Sequence, residues 1–141
     1  MVAKPRLTDD DYRRLLEFRT AVRKFLHYSK TQAEQLDLTP ARHQLLLAVR
    51  GHPGDANPTI GQVAEHLLIR HHSAVELVDR AEAAGLVERV GDPDDERVVR
   101  VKLTRRGASK LERISLANVA EIGKLEPGFS AIRKAVEGLP G

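Results

Sequence analysis

The sequence predicts a mostly α-helical fold carrying one small β-hairpin (α+β), and three observations predict it. Apolar residues recur at helical spacing through most of the 141-residue chain. The apolar period drops to two only between about residues 86 and 103. Gly85 stands at that change of period, where a helix-terminating glycine belongs. Composition agrees: 41% apolar and 30% charged residues allow a packed core and argue against general disorder.

The first element is a long helix over 8–36. Thr8 is its N-cap, Asp9, Asp10 and Asp11 suit the positive end of the helix dipole, and Leu15, Phe18, Val22, Phe25 and Leu26 make one apolar stripe. A stripe that long, with Arg13, Arg19, Arg23, Lys24 and Lys30 opposite, packs within the domain or against another subunit. Leu38-Thr39-Pro40 opens a second helix, with Thr39 as cap and Pro40 at the first helical position. Leu45-Leu46-Leu47-Ala48-Val49 is apolar nearly all round, so this helix is expected to be central and buried. Gly51 ends it, and His52 to Pro58 form a turn-rich loop.

Thr59 and Gln62 have capping-box spacing for a third helix, whose apolar positions are Ile60, Val63, Ala64, Leu67 and Leu68. A short break at Ile69-Arg70 precedes a fourth helix over about 71–84, ended by Gly85. Two strands follow, 86–90 and 97–103, around a tip from Gly91 to Glu96. In the second strand Val99, Val101 and Leu103 share one face, and Val98, Arg100 and Lys102 the other. Thr104 caps a long helix over about 105–124. Pro127-Gly128 is expected to break it before a last short helix over 129–137.

Two short helices joined by a tight turn and followed by a hairpin form a winged helix-turn-helix. Its second helix suits a major groove about 12 Å wide, and its hairpin reaches the neighbouring backbone or minor groove. Charge does not settle the matter. The net charge is +3, yet residues 51–100 hold five Lys or Arg against ten Asp or Glu, a local balance of −5.

Several stretches resemble the MarR family of bacterial transcriptional regulators. They are Leu38-Thr39-Pro40, Ile60 to Leu68, Ser73 to Arg80, Gly85-Leu86-Val87-Glu88-Arg89, and above all Asp92-Pro93-Asp94-Asp95-Glu96-Arg97 leading to Leu103-Thr104-Arg105-Arg106-Gly107. The resemblance implies a single domain over 8–139. Its DNA-binding lobe would span 39–104, flanked by N- and C-terminal dimerisation helices over 8–36 and 105–139. Departures are a Glu96-Arg97 pair where the family often has two arginines, and a long Pro- and Gly-rich loop over 51–59.

In that frame Arg70, His71, His72 and Ser73 begin the recognition helix, with Glu76 and Arg80 farther along its outward face. They contact bases or phosphates, or else form a solvated helix face; Glu76 either accepts from cytosine N4 or pairs with Arg80. Asp79 and Glu82 read as solvent-facing or structural. Arg97 marks the wing, entering a minor groove or holding a phosphate, with Asp95 orienting it; the plain alternative is a hairpin salt bridge. Thr59 and Gln62 cap their helix, whose backbone N–H groups are also suited to a phosphate. The resemblance further implies a small aromatic effector, for which Tyr28, Arg42 and His43 are candidates; His43 reads equally as a helix-surface residue.

The expected function is therefore a homodimeric, sequence-specific regulator of transcription, a repressor on near-palindromic double-stranded DNA with half-sites roughly 10 bp apart. Two alternatives stay open: a winged-helix protein-interaction module, favoured by the acidic middle, and a metal or pH sensor using the six His. No enzyme, cofactor or metal site is expected. There is no phosphate loop or nucleophile motif, and His66, His71 and His72 lack the same-face spacing of a helical metal pair. With no Cys there is no disulfide or thiolate zinc site. Met1 to Pro5 turn polar at once, unlike a signal peptide, and no apolar run approaches the ~18 residues of a membrane span. A cytoplasmic protein without membrane partners is expected.

Overall fold

A computed structural model describes residues 6–138. The expected domain limit at residue 139 and the polar start at residues 1–5 lie outside them. The element order is α1 (Asp9–Gln35), α2 (Pro40–Gly51), α3 (Ile60–Leu67), α4 (His71–Ala83), β1 (Val87–Gly91), β2 (Val99–Leu103), α5 (Arg105–Ile122), a 3₁₀ turn (Gly123–Leu125) and α6 (Glu126–Glu137). The fold is thus mostly helical with a two-stranded antiparallel hairpin. Among the described residues no helix is long and apolar enough to cross a membrane.

The helix starts follow local chemistry. The Thr8 hydroxyl accepts the Asp11 amide at 3.2 Å, and the Asp11 carboxylate accepts the Thr8 amide at 2.9 Å. Thr39 accepts the Arg42 amide at 3.1 Å, with Pro40 in the first turn, where its missing N–H costs nothing. Thr59 and Gln62 form a full capping box, at 3.2 Å and 2.9 Å. Helix α3 ends on Leu68 in the left-handed region, φ 54°, so that the Ile69 amide reaches the Ala64 carbonyl oxygen at 3.1 Å. Gly85 takes φ 75° after α4 without the Cβ penalty.

The hairpin register runs from Val87 opposite Leu103 to Gly91 opposite Val99. Strand β2 starts two residues later than the sequence suggests, because Asp95 to Val98 form a turn in which the Val98 amide donates to the Asp95 carbonyl oxygen at 3.0 Å. Residues 58–59 flank β2 on its other side. The Val101 amide donates to the Pro58 carbonyl oxygen at 2.8 Å, and Thr59 bridges to Arg100.

The chain divides into two compact units, one of residues 32–115 and one of residues up to 31 with those from 116 onward. The first extends beyond the expected lobe 39–104. Ala33 from the end of α1 and Leu111 and Ile114 from α5 are buried in its core with Leu45, Leu46, Val63, Val78, Leu86 and Val101. In the second unit Phe18 and Phe129 meet edge to face at 5.4 Å, and the buried Asn118 side-chain amide donates to the Ser29 hydroxyl at 3.1 Å.

Two expectations need correction. Helix α5 yields to the 3₁₀ turn at Gly123, and Pro127 lies inside the first turn of α6 rather than breaking a helix, since a first-turn proline loses no hydrogen bond. Leu47 is exposed on α2, because the apolar run covers more of the helix than its neighbours do. Val99 shares the face of Val101 as expected, and is exposed at the tip end of β2 where Val101 is fully buried.

Candidate nucleic-acid interface

The candidate interface is built on the unit of residues 32–115. Helix α4 buries Ala74, Val78 and Ala81, and this sends His72, Glu76 and Arg80 outward. Arg70 is the residue before the helix, and its side chain does not cap it. Arg70, His71 and His72 are exposed and Ser73 is half-buried, so the start of α4 presents a row of polar side chains. Ion pairs of this lobe engage Arg89, Arg97 and Arg100 and leave Arg70 and Arg80 out, so the Glu76–Arg80 pairing read from the spacing does not form.

Asp79 and Glu82 have a structural task. Arg89 of β1 donates to Asp79 at 2.5 Å and to Glu82 at 2.8 Å, and its backbone amide donates to Glu82 at 3.0 Å. The two carboxylates raise the guanidinium pKa, the Asp79 hydrogen bond most of all. Two of the three carboxylates along α4, Asp79 and Glu82, thus fasten the hairpin to the helix, and Glu76 alone faces outward without that task.

The wing tip is ordered by carboxylates. Asp95 accepts the Arg97 amide at 3.0 Å, its Nε at 3.2 Å and its Nη2 at 3.3 Å. The Arg97 side chain is nevertheless 90% exposed, so it is aimed and still accessible. That hydrogen-bonded arginine holds the Asp95 carboxyl below its ordinary pKa. Asp92 accepts the Asp94 and Asp95 amides at 3.1 Å and 3.0 Å through one oxygen and Arg100 Nε at 2.8 Å through the other. Its carboxyl is lowered too, chiefly by the Arg100 hydrogen bond.

Thr59 and Gln62 accept each other's backbone amides through their side-chain oxygens, so the capping box occupies those two N–H groups and leaves the Gln62 side-chain amide and the Thr59 hydroxyl proton as donors for a phosphate. The effector candidates separate. Tyr28 belongs to the unit that starts and ends the chain; Arg42 and His43 lie on α2 in the other. His43 is 4% exposed, which corrects its reading as a surface residue, and burial lowers its pKa. Arg42 is half-buried.

Sequence reasoning missed Arg89 and Arg100, because their partners stand seven or more positions away. It also missed a histidine pair. His52 Nδ1 and His66 Nε2 lie 2.8 Å apart, joining the loop after α2 to α3. Of the 5.1 Å between ring centroids, 2.8 Å is this gap, so the nitrogens face each other along a hydrogen bond. Among the described residues no three His, Cys, Asp or Glu converge on a metal position.

Residues 36–98 match the family model described as the MarR family, so the resemblance read from the sequence holds over the helix-turn-helix, β1 and the wing tip. No curated protein matches the chain. Solved structures do. A MepR mutant from S. aureus is 20% identical, covering 87% of this chain and 96% of that one, with a TM-score of 0.73. A mutant MarR from E. coli complexed with operator DNA is 24% identical, covering 86% and 90%, with a TM-score of 0.67. CouR from Rhodococcus jostii bound to p-coumaroyl-CoA is 21% identical, covering 83% and 73%, with a TM-score of 0.62. At these identities the likeness is one of fold.

Proposed function

We propose that this chain, whose residues 36–98 match the MarR family, is a homodimeric, sequence-specific DNA-binding regulator of transcription and not an enzyme. The observation that carries the reading is Arg97, oriented by Asp95 at the tip of a hairpin yet almost fully exposed. An arginine prepaid in orientation and open to solvent suits a narrow, negative minor groove or a phosphate. On the same lobe, Arg70 before α4 and His71, His72, Ser73, Glu76 and Arg80 along it are offered to base edges or phosphates. The E. coli MarR of similar fold was solved on operator DNA, which supports the same use here.

The homodimer is supported by where apolar surface is left open. Tyr12, Leu15, Leu16 and Leu26 of α1, with Leu116, Val119, Ile122 and Val136 of the C-terminal helices, are exposed large apolar residues of one compact unit. A second copy covering them would give a two-fold dimer and a near-palindromic operator with half-sites roughly 10 bp apart. Repression, relieved by a small aromatic effector, completes the reading. It acts by population shift, the effector favouring a dimer whose recognition helices are wrongly spaced.

Selection from random DNA duplexes on the purified protein at physiological salt tests it. A two-fold symmetric site should be enriched, with affinity falling steeply as salt rises. No enrichment, together with weak binding at low salt, would refute the DNA reading and favour a protein partner for the acidic middle.

A further inference from the structure

Arg100 was expected only as one residue on the second face of a strand. Its side chain is 22% exposed and joins three parts of the fold. Nη1 donates to the Asn57 carbonyl oxygen at 2.7 Å, and Nε donates to Asp92 at 2.8 Å. Asp92, itself only 14% exposed, uses its other oxygen to hold the Asp94 and Asp95 amides. Asp95 in turn grips Arg97 by backbone and side chain. A continuous series of hydrogen bonds therefore runs from the loop before α3 to the exposed guanidinium at the wing tip.

The loop end is a firm anchor. Pro58 is fully buried, its carbonyl oxygen accepts the Val101 amide, and Thr59 next to it bridges to Arg100 while capping α3. The planar guanidinium suits the task, because its fixed fork reaches the carbonyl oxygen and the carboxylate at once in one orientation; an ammonium is a single point on a flexible stem. The long loop over 51–59, which the resemblance does not call for, thereby acquires a use as the fixed end of the wing.

We propose that Arg100 is a positioning residue of the DNA interface: by clamping Asp92 to Asn57 it sets the tip that aims Arg97. The inference rests on the DNA-binding reading, since it gives Arg100 its effect through Arg97. Removing Arg100 should cost affinity only while Arg97 is present.

The test is a double-mutant cycle on the selected duplex, read by fluorescence anisotropy with wild type, R100M, R97A and the double variant. Arg100→Met should weaken binding about tenfold in the wild-type background and leave R97A unchanged. Arg100→Lys should fall between. Asp92→Asn, which keeps size and shape, should behave as R100M does and guards against a variant that fails to fold. Equal losses in both backgrounds, or none in either, would overturn the proposal.

A DNA-free arm separates it from the reading beneath it. Hydrogen exchange at the Asp94 and Asp95 amides should speed up in R100M while the amides of α3 and α4 keep their protection. If wild type binds no duplex, the DNA reading fails and the role in aiming Arg97 falls with it. If wild type binds but exchange at the tip is unchanged in R100M, the DNA reading stands and Arg100 is not the clamp.

Discussion

The Thr104 hydroxyl donates to the Gly85 carbonyl oxygen at 2.7 Å while accepting the Gly107 amide at 3.0 Å. One side chain thereby caps α5 and ties its start to the turn that ends α4, and the Thr104 amide adds a bond to the Leu86 carbonyl oxygen at 3.1 Å. The arrangement explains the Leu-Thr-x-x-Gly run at residues 103–107. Thr104→Val removes donor and cap together and should cost about 1–2 kcal/mol in urea denaturation.

Gly107 completes that junction. A Cβ there would overlap the Leu86 carbonyl oxygen, which is backbone and has no rotamer to yield. Gly107→Ala should destabilise by about 2–3 kcal/mol, although alanine is the better helix former by nearly 1 kcal/mol. A smaller loss than that of Thr104→Val would show that the two segments move apart freely.

Leu68 combines a left-handed backbone with a side chain that is 92% exposed. Its contacts cannot compensate the strain, so Leu68→Asn, which tolerates that conformation, should stabilise by about 0.5–1 kcal/mol. The denaturation midpoint should rise with an unchanged slope.

His43 sets a pH dependence of stability. Burial lowers its pKa, so the folded state resists protonation that the unfolded chain accepts near pH 6.5. Between the lowered value and 6.5 the unfolded state binds more protons, so stability falls as the pH is lowered through that window and is unaffected above it. Thermal unfolding of His43→Leu should lose this slope below pH 6.5.

The wing carboxylates respond in a different range. Asp92 and Asp95 are both lowered from 3.8 by their arginine partners, so their contribution is present above that value and is lost as the pH falls through the lowered ones. Their side-chain carbon resonances should titrate below 3.8. Titration at the ordinary value would mean that Arg97 and Arg100 are not engaged in solution.

Assembly can be tested on the same footing. Val119 is 68% exposed, so Val119→Glu should leave the protomer folded and shift sedimentation from dimer to monomer. A variant that unfolds would instead place Val119 in the protomer's own core.

Every helix and the hairpin were legible in the sequence, because each is specified by near neighbours. Thr8, Thr39, Thr59 and Thr104 each cap the amide three positions on, and the periods of 3.6 and 2 mark which side chains face a core. The pairing of Asp95 with Arg97 was legible for the same reason. The sequence by itself thus determined the order of the helices and the hairpin, the threonine caps and the arginine that Asp95 orients. What only the tertiary structure decided are the long-range polar contacts: Arg89 on Asp79 and Glu82, Arg100 on Asp92 and Asn57, His52 on His66, and the burial of His43. A charged side chain on a strand has many possible partners along the chain, and its spacing carries no record of which one folding brings within 3 Å. Pro127 shows the same limit, since a proline breaks a helix or begins one according to where the preceding turn ends, and the packing of that turn settles it.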